Sequence, residues 1–291
     1  MGYRHHVLRV VLIAVVGSWL IACPTPTTPK GPTGPVADVA KFGAGAPLVT
    51  PGERMTYRVE LRGVELAVMT IGVGDLTDLD GVKTIVVQVH AKSVGLAQML
   101  AAVDDTFTSW IDITTGRSRR FAVDEFETNS KVNVEHSVAD LAARSGEQVT
   151  VTFALNDAAP QPETQKVTLP DVWDYNSFLV ALRSWEGAPG TKQKIEVLRS
   201  RYLWSMEIGI KGKEKLTTEL GDLPALRFDA HTFKLTRAGE KDTTSDERDM
   251  SIWISDDNDR VPLKLTARTD YGDIQMDIVD YQPGTGPRQR K

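Results

Sequence analysis

Hydrophobic and polar residues alternate along most of the chain between residues 51 and 282. In residues 55–61 the odd-numbered positions are Met, Tyr, Val and Leu, whereas the even-numbered positions are Thr, Arg and Glu. A period of two is typical of a β-strand with one face in a core and the other in solvent. The chain is therefore predicted to be mainly β. The same pattern predicts strands at residues 64–73, 84–91, 107–113, 149–155, 194–197, 202–210, 225–235, 250–254, 263–269 and 273–279.

Two segments have helical spacing instead. Residues 171–185 repeat apolar side chains at intervals of three to four, with Pro170 before them and Asp171 as the expected N-cap. Residues 93–103 predict a short second helix. Turn sequences such as Asp80-Gly81 separate the strands, as they do in antiparallel hairpins. Because a sheet of this size must twist, we expect a large curved antiparallel sheet, half-barrel or barrel-like, around one packed helix or a ligand.

The N-terminal segment has the features of a bacterial export signal. Arg4 and Arg9 form a positively charged start, residues 10–21 are apolar, and Leu20-Ile21-Ala22-Cys23 has the pattern of a lipobox. An apolar run of this length is shorter than the ~20 residues that a membrane-spanning helix needs. We therefore predict that residues 1–22 are a signal peptide that is removed by cleavage after Ala22.

Cys23 is the single cysteine of the chain, so it has no partner for an intramolecular disulfide. The resemblance of the lipobox to those of bacterial lipoproteins implies that the Cys23 sulfur carries diacylglycerol. It also implies an acyl chain such as palmitate on the new amino terminus, and no other cofactor is expected. The alternative is a buried or disulfide-bonded cysteine. Pro24 follows the cysteine, and by resemblance to enterobacterial lipoproteins this favours the outer membrane, facing the periplasm.

The rest of the chain is predicted to be a tether, one domain and a tail. Prolines recur in residues 23–48 among Thr, Gly and Lys, a composition that favours an extended tether over a packed core. Residues 49–282 form the single β-rich domain, although the polar stretch at residues 156–164 could divide it. Residues 283–291 are rich in Pro, Gly and Arg and are predicted to be a disordered, solvated tail.

Composition and charge narrow the classes of partner. Hydrophobic residues make up 41% of the chain and charged residues 25%, as in an ordinary globular protein, and the formal net charge is −5. The predicted signal peptide contains two arginines and no acids, so its removal leaves a net charge of −7. We therefore expect no nucleic-acid partner, and we expect membrane contact through the lipid anchor alone.

Five segments form an ordered set of motifs along the chain. Residues 52–57 are Gly-Glu-Arg-Met-Thr-Tyr, residues 103–110 contain an Asp-Asp pair followed by a strand, and residues 174–185 contain a helical pattern ending in a Leu-Arg pair. Residues 252–262 contain the pattern W-x-S-D-D-x-x-R-x-P, and residues 271–274 are Tyr-Gly-Asp-Ile. In these motifs and their order the chain resembles a family of exported bacterial proteins, the domain of unknown function 3108 family. The similarity covers about residues 51–281. It implies an exported β-rich fold and supplies no reaction, cofactor or catalytic residue.

Histidines and carboxylates are the candidates for metal or acid–base chemistry. His90, His136 and His231 remain after processing, but none is spaced as a ligand pair, so no metal site is predicted. Asp104 and Asp105 are adjacent on a strand and should therefore point to opposite faces. The acidic residues at 256–259 lack the glycine and distal glutamate of a calcium loop and are predicted to form a solvated turn.

An alternative structural role for these acids is an ion pair of Asp104 or Asp257 with Arg183 or Arg260. The chain also lacks a Gly-x-Ser-x-Gly elbow, a His-Glu-x-x-His pair and a phosphate-binding P-loop. No catalytic residue is therefore predicted.

Aromatic residues are the candidates for a ligand cavity. Trp110, Phe178 and Trp253 could line an apolar cavity inside the curved sheet, or they could be ordinary core residues. The main hypothesis is a non-enzymatic, lipid-anchored envelope protein that binds an apolar, lipid-like ligand or an envelope-biogenesis partner. One alternative is a structural scaffold of an envelope complex. The other is a glycan or peptidoglycan hydrolase that uses a carboxylate pair containing Asp104.

Overall fold

Fifteen β-strands form one continuous hydrogen-bonded sheet. The structure is a computed structural model that describes residues 41–128, 132–245, 247–269 and 272–290. Within these residues there are two helices, α1 (Gly95–Leu100) and α2 (Tyr175–Arg183). The strands are β1 (Arg54–Leu61), β2 (Val64–Leu79), β3 (Val82–Ser93), β4 (Ala102–Asp112), β5 (Ser118–Thr128), β6 (Val132–Asp140), β7 (Gln148–Leu155), β8 (Gln161–Lys166), β9 (Val172–Asp174), β10 (Lys192–Arg199), β11 (Tyr202–Thr218), β12 (Gly221–Lys234), β13 (Arg248–Ser255), β14 (Pro262–Thr269) and β15 (Gly272–Gln282).

The sheet is a long meander in which β1 and β15 are neighbours. Strands β1 to β8 follow one another on one side of this pair, and β14 back to β9 follow on the other side. All the pairs are antiparallel except β9 with β10, which is parallel. The prediction of a large curved antiparallel sheet with one packed helix and a short second helix is confirmed.

The meander gives the sheet two distinct ends. Helix α1 lies in the connection between β3 and β4, and the connections β10–β11, β12–β13 and β14–β15 lie at that same end, which we call the α1 end. Both termini of the described chain lie at the opposite end, where Arg290 Nη1 donates a hydrogen bond to the carbonyl oxygen of Ala44.

The curvature of the sheet brings its outermost strand β8 to the β10–β11 and β12–β13 connections, and side chains bridge the gap. Arg201 forms ion pairs of 3.2 Å with Glu163 and 3.3 Å with Glu135, and its guanidinium lies over the ring of Phe153. Arg237 also pairs with Glu163. The sheet is barrel-like without being closed by a strand ladder, and this seam is held by charged side chains.

Helix α2 lies against the concave face of the sheet, and all of its residues after Tyr175 are buried. The prediction that Asp171 caps this helix is wrong, because residues 172–174 continue as strand β9. The N-cap is Asp174, whose carboxylate accepts a hydrogen bond of 2.8 Å from the Ser177 backbone N–H. The Ser177 hydroxyl in turn accepts one from the Asp174 backbone N–H, which completes a capping box.

A buried ion pair anchors the other end of α2. Arg183, 5% exposed, donates hydrogen bonds of 2.9 and 2.6 Å to both carboxylate oxygens of Glu53, which is 2% exposed. It also donates to the carbonyl oxygens of Asp259 and Arg260 in the β13–β14 connection. The expectation that Arg183 pairs with an aspartate was therefore wrong, and its partner comes from the residue just before β1.

The alternating pattern does not predict four of the strands, β5, β6, β8 and β9. The alternation in β5 is interrupted by Glu125 and Glu127, which take positions on the inward face, and β6 and β8 are rich in polar residues. Strand β9 was assigned to the helix. Alternation is a weak signal where charged residues occupy inward positions or where an edge strand has little surface to bury.

The segments on either side of the predicted domain pack against it. Phe42, in the predicted tether, is buried with its ring 5.3 Å from that of Trp173 and 5.4 Å from that of Trp185. In the predicted tail, the backbone N–H of Thr285 donates to the Pro51 carbonyl and that of Gln289 donates to the Val49 carbonyl. The described domain therefore includes residues 41–48 and 283–290.

Replacing Arg183 by methionine should lower the free energy of unfolding by about 3–5 kcal/mol, because it leaves the buried Glu53 carboxylate without its cation. Urea unfolding of the domain measures the loss. The matched control is Arg120→Met, since Arg120 is a partly exposed arginine whose ion pairs of 3.5 Å lie on the surface, and we expect it to lose less than about 1 kcal/mol. Equal losses in the two variants would contradict a special role for the Arg183 pair.

Candidate functional site

An apolar cavity of about 170 Å³ lies between α2 and the concave face of the sheet, in the half nearer the α1 end. Its wall is contributed by strands from both sides of the meander, so that no single hairpin forms it. Four of the seven methionines of the chain line it. The apolar lining includes Val59, Met69, Val89, Phe107, Met206, Leu265, Ile274 and Met276.

The first turns of α2 form the floor of the cavity. Tyr175, Phe178 and Leu179 face it, and the Tyr175 ring lies 6.1 Å from that of Phe107 on β4. Asn176 fixes the start of the helix, because its side-chain amide donates hydrogen bonds of 3.0 Å to the carbonyl oxygens of Val87 and Phe107. The floor is thereby tied to β3 and β4 through buried polar contacts.

Two arginines line the cavity at its α1 end. Arg199 is the last residue of β10 and Arg248 is the first residue of β13. Thr232, which is paired with Arg248 across β12 and β13, also lines this part of the wall. Among the described residues that line the cavity, these two arginines are the charged ones.

A group of carboxylates lies near Arg199, on β4 and β5. Asp105 is 2% exposed, faces Glu125 across the β4–β5 pair, and accepts a hydrogen bond of 3.1 Å from the Phe126 backbone N–H. Burial and the neighbouring Glu125 raise the pKa of Asp105 to about 7, against the lowering effects of the Phe126 hydrogen bond and Arg199. Inward-facing carboxylates on β4 and β5 therefore lie across the barrel from inward-facing arginines on β10 and β13.

The three aromatic residues considered as cavity residues in the sequence lie in different places. Phe178 lies in the cavity floor. Trp110 and Trp253 do not line the cavity, because each falls on the outward face of its strand, out of phase with Ile111 on β4 and with Ile252 on β13. The Trp253 ring lies under the guanidinium of Arg227, and its Nε1 donates to Glu214. Cys23, the predicted lipidation site, lies outside the described residues.

The DUF3108 family model, described as a protein of unknown function, matches residues 55–279. The chain belongs to this family. The match agrees with the resemblance found in the sequence motifs, and its description assigns no activity. No curated protein matches the chain.

The fold of this DUF3108 protein occurs in a solved structure. It is a β-barrel-like protein of the DUF1849 family from Brucella abortus, with a TM-score of 0.56 and 9% identity over 82% of this chain and 100% of that one. A candidate lipoprotein from Parabacteroides distasonis matches with a TM-score of 0.31 at 7% identity, over 81% of this chain and 99% of that one. A candidate exported protein from Bacteroides fragilis matches with a TM-score of 0.32 at 6% identity, over 82% and 99%. The first of these shows the fold, and the other two scores are too low to carry an argument.

The histidines of the DUF3108 domain lie on its outer surface, each beside an acid. His90 is 2.6 Å from Asp104, and His136 contacts Asp124. Hydrogen bonding to Asp249, together with Glu247, raises the pKa of His231. In the described parts of the chain, no group of three or more His, Cys, Asp or Glu residues is placed to hold a metal ion.

The acidic residues singled out in the sequence have local roles. Asp104 forms ion pairs with His90 and Lys92 on the outer surface, and the structure does not bring it to Arg183 or Arg260. Asp257 accepts hydrogen bonds from the Ser255 hydroxyl and from the backbone N–H groups of residues 259 and 260, as expected for a turn. Neither residue lines the apolar cavity.

Helix α1 exposes apolar side chains at the same end as the two cavity arginines. Leu96, Met99 and Leu100 are 72%, 82% and 79% exposed, whereas Ala97 is buried against Leu66. No helix in the described residues has the length and apolar character needed to cross a membrane.

Arg199 and Arg248 were not identified from the sequence. Each lies at the end of a strand, where a charged residue is usually solvated. The sequence signal that could have identified them is their position in the alternating pattern of each strand. Arg248 lies on the same strand face as Ile252 and Ile254, and Arg199 lies on the same face as Val197 and Ile195. A charge in phase with buried positions marks an inward-facing residue.

Asp105 should make stability depend on pH. Its pKa is raised in the folded protein, so between about pH 4 and pH 7 the folded state keeps a proton that the unfolded state has lost. The free energy of unfolding therefore falls as pH rises through this window, by at most about 1.4 kcal/mol per pH unit. Asp105→Asn removes this dependence. Urea unfolding at pH 5 and pH 8 measures the free energy of unfolding of both proteins, and from pH 5 to pH 8 the difference between them should shift by about 2 kcal/mol in favour of the variant.

The control for this experiment is Asp75→Asn, since Asp75 is exposed on β2. Its stability should change in parallel with that of the wild type at both pH values. If Asp105→Asn behaved in the same way, a raised pKa for Asp105 would be refuted.

Proposed function

We propose that this protein is a non-enzymatic, lipid-anchored protein of the bacterial cell envelope whose barrel binds an apolar, lipid-like ligand. The observation that carries the proposal is the apolar cavity between α2 and the sheet. Ligand sites in proteins are concave and mostly apolar, with a few polar groups that fix orientation. This cavity has that composition, with two arginines and Thr232 at one end.

The size and lining of the cavity suit part of an acyl chain. Its volume of about 170 Å³ is similar to that of an engineered apolar cavity of ~150 Å³ that binds benzene. A longer chain requires the wall to move. Met69, Met206, Met250 and Met276 line it, and unbranched methionine side chains adapt their shape at little cost. The ligand would enter at the α1 end, where exposed Leu96, Met99 and Leu100 offer an apolar rim.

The sequence supports a place in the envelope. The export signal, the lipobox and Cys23 predict a lipid anchor, and Pro24 favours the outer membrane facing the periplasm. Two or three acyl chains give stable membrane attachment, because each buried methylene contributes about 0.8 kcal/mol. The domain would then hold its ligand close to a membrane while the Pro-rich segment allows it to reorient.

Two alternatives predict different behaviour. A structural scaffold would have no ligand and would depend on a protein partner. A glycan hydrolase needs two carboxylates flanking a cleft that admits a sugar. Asp105 has acidic neighbours in Glu125 and Glu127, but none of the three lines the cavity, and an apolar wall offers a sugar few hydrogen-bonding groups. The geometry therefore favours ligand binding over glycan hydrolysis.

Filling the cavity should abolish ligand binding. Ala91 lines the cavity and is 2% exposed, so Ala91→Leu places additional carbon atoms in the space that the ligand needs. We expect the affinity of the protein for a fluorescent fatty acid to fall at least tenfold. The matched control is Ala122→Leu on β5, where residue 122 faces outward, and its binding should equal that of the wild type.

Native mass spectrometry of the full chain and of the same two variants, purified from an envelope extract, tests the proposal without an added probe. We expect a lipid-sized mass that is lost from Ala91→Leu and kept in Ala122→Leu. Wild-type protein that carries no ligand and binds no fluorescent fatty acid would overturn ligand binding and favour the scaffold.

Lipidation is tested on the full chain by Cys23→Ser. The wild type should incorporate an alkynyl palmitate label and fractionate with the outer membrane. The variant should lose the label and leave the membrane fraction, because no other segment is expected to anchor it. Equal labelling of both proteins would refute Cys23 as the attachment site.

A further inference from the structure

The two arginines at the α1 end of the cavity suggest which kind of lipid-like ligand fits. We propose that the ligand is an anionic amphiphile whose head group pairs with Arg199 and Arg248 while its chain extends over Met206 and Phe178. This inference rests on the proposed function and specifies the chemistry of the same site. Fatty acids and alkyl phosphates share this chemistry, which is a single apolar chain attached to an anionic head.

The first argument is the distribution of charge along the cavity. The charged groups in the wall, among the described residues, are the two guanidinium groups, and both lie at one end. The remaining lining is apolar apart from the Thr232 and Tyr175 hydroxyls and the indole N–H of Trp204. A ligand that fits such a wall has one anionic end and one apolar end, because burying a polar group against the apolar part would leave it without hydrogen bonds.

The second argument is that the two arginines belong to different strands. Arg199 ends β10 and Arg248 begins β13, with β11 and β12 between them in the sheet. Both side chains nevertheless line one cavity, which requires the curvature of the barrel. Guanidinium groups bind carboxylates and phosphates through paired N–H donors, so two of them can hold one anionic head from two directions.

The third argument concerns the acids near Arg199. Asp105, Glu125 and Glu127 lie on β4 and β5, and none of them lines the cavity. The interaction of Asp105 with Arg199 offsets part of the positive charge of that arginine in the folded protein. Because none of these acids lines the cavity, the anionic head of a ligand would reach the guanidinium groups from the cavity side.

Binding of three ligands with the same twelve-carbon chain tests the head-group assignment in the wild-type domain. Dodecanoate, dodecyl phosphate and methyl dodecanoate are compared at pH 8 by displacement of a fluorescent probe. We expect at least one of the two anions to bind tenfold or more tightly than the methyl ester. The preferred anion then distinguishes a carboxylate head from a phosphate head.

Variants test whether the two arginines cause the preference for an anionic head group. Arg248→Met should weaken binding of the preferred anion about tenfold and leave the methyl ester unchanged, and Arg248→Lys should restore part of the loss. Arg120→Met, which removes an arginine from the outer surface, should leave all three affinities unchanged. Because methyl ester binding reports an intact cavity, a variant that fails to fold is recognised by the loss of all three ligands, and Arg199→Met then replaces it.

Two outcomes would overturn the assignment, and they differ in what they leave standing. If the methyl ester bound as tightly as both anions, the head-group assignment would fail and the cavity would remain a site for neutral apolar ligands. If none of the three bound to the folded wild-type domain, the proposed function would fail as well.

Discussion

The buried pair between Arg183 and Glu53 fixes where the helix lies in the barrel, and the cavity follows from that position. A helix of nine residues is about 14 Å long, whereas an eleven-residue strand such as β4 is about 36 Å long. One such helix fills less than half the length of the concave face. Because Arg183 ties its C-terminus to the end opposite α1, the unfilled space is left at the α1 end.

The start of the helix is fixed as firmly as its end. Asp174 accepts hydrogen bonds from the Ser109 hydroxyl and the Ser177 backbone, and Asn176 binds two strand carbonyls. Burial raises the pKa of Asp174, and the hydrogen bonds around it partly offset that effect. Buried hydrogen bonds of this kind favour one arrangement of a core. The helix therefore has little freedom to slide toward the cavity and fill it, which is why we interpret the space as a site.

The sequence predicted the architecture well and the site only in part. Alternation identified β4 and β13, and the amphipathic pattern of residues 171–185 placed Phe178 on the buried face of the helix. It did not identify β5, where inward Glu125 and Glu127 replace the apolar residues that alternation requires. Trp110 and Trp253 were selected for their size, whereas strand parity places both on the outer face. Which distant strand ends meet in the barrel depends on closure, and no local pattern encodes it.

Charged residues replace apolar ones at several inward strand positions, and these positions lie near the proposed binding site. Inward carboxylates on β4 and β5 and inward arginines on β10 and β13 each weaken the local strand signal and carry a desolvation penalty. A core that needed only stability would replace such groups with apolar side chains of similar volume. Their concentration at one end of a cavity whose remaining walls are rich in methionine is consistent with a binding site that discriminates by the head group of a ligand. The adaptable walls would then accept chains of different length, so that specificity depends on charge more than on shape.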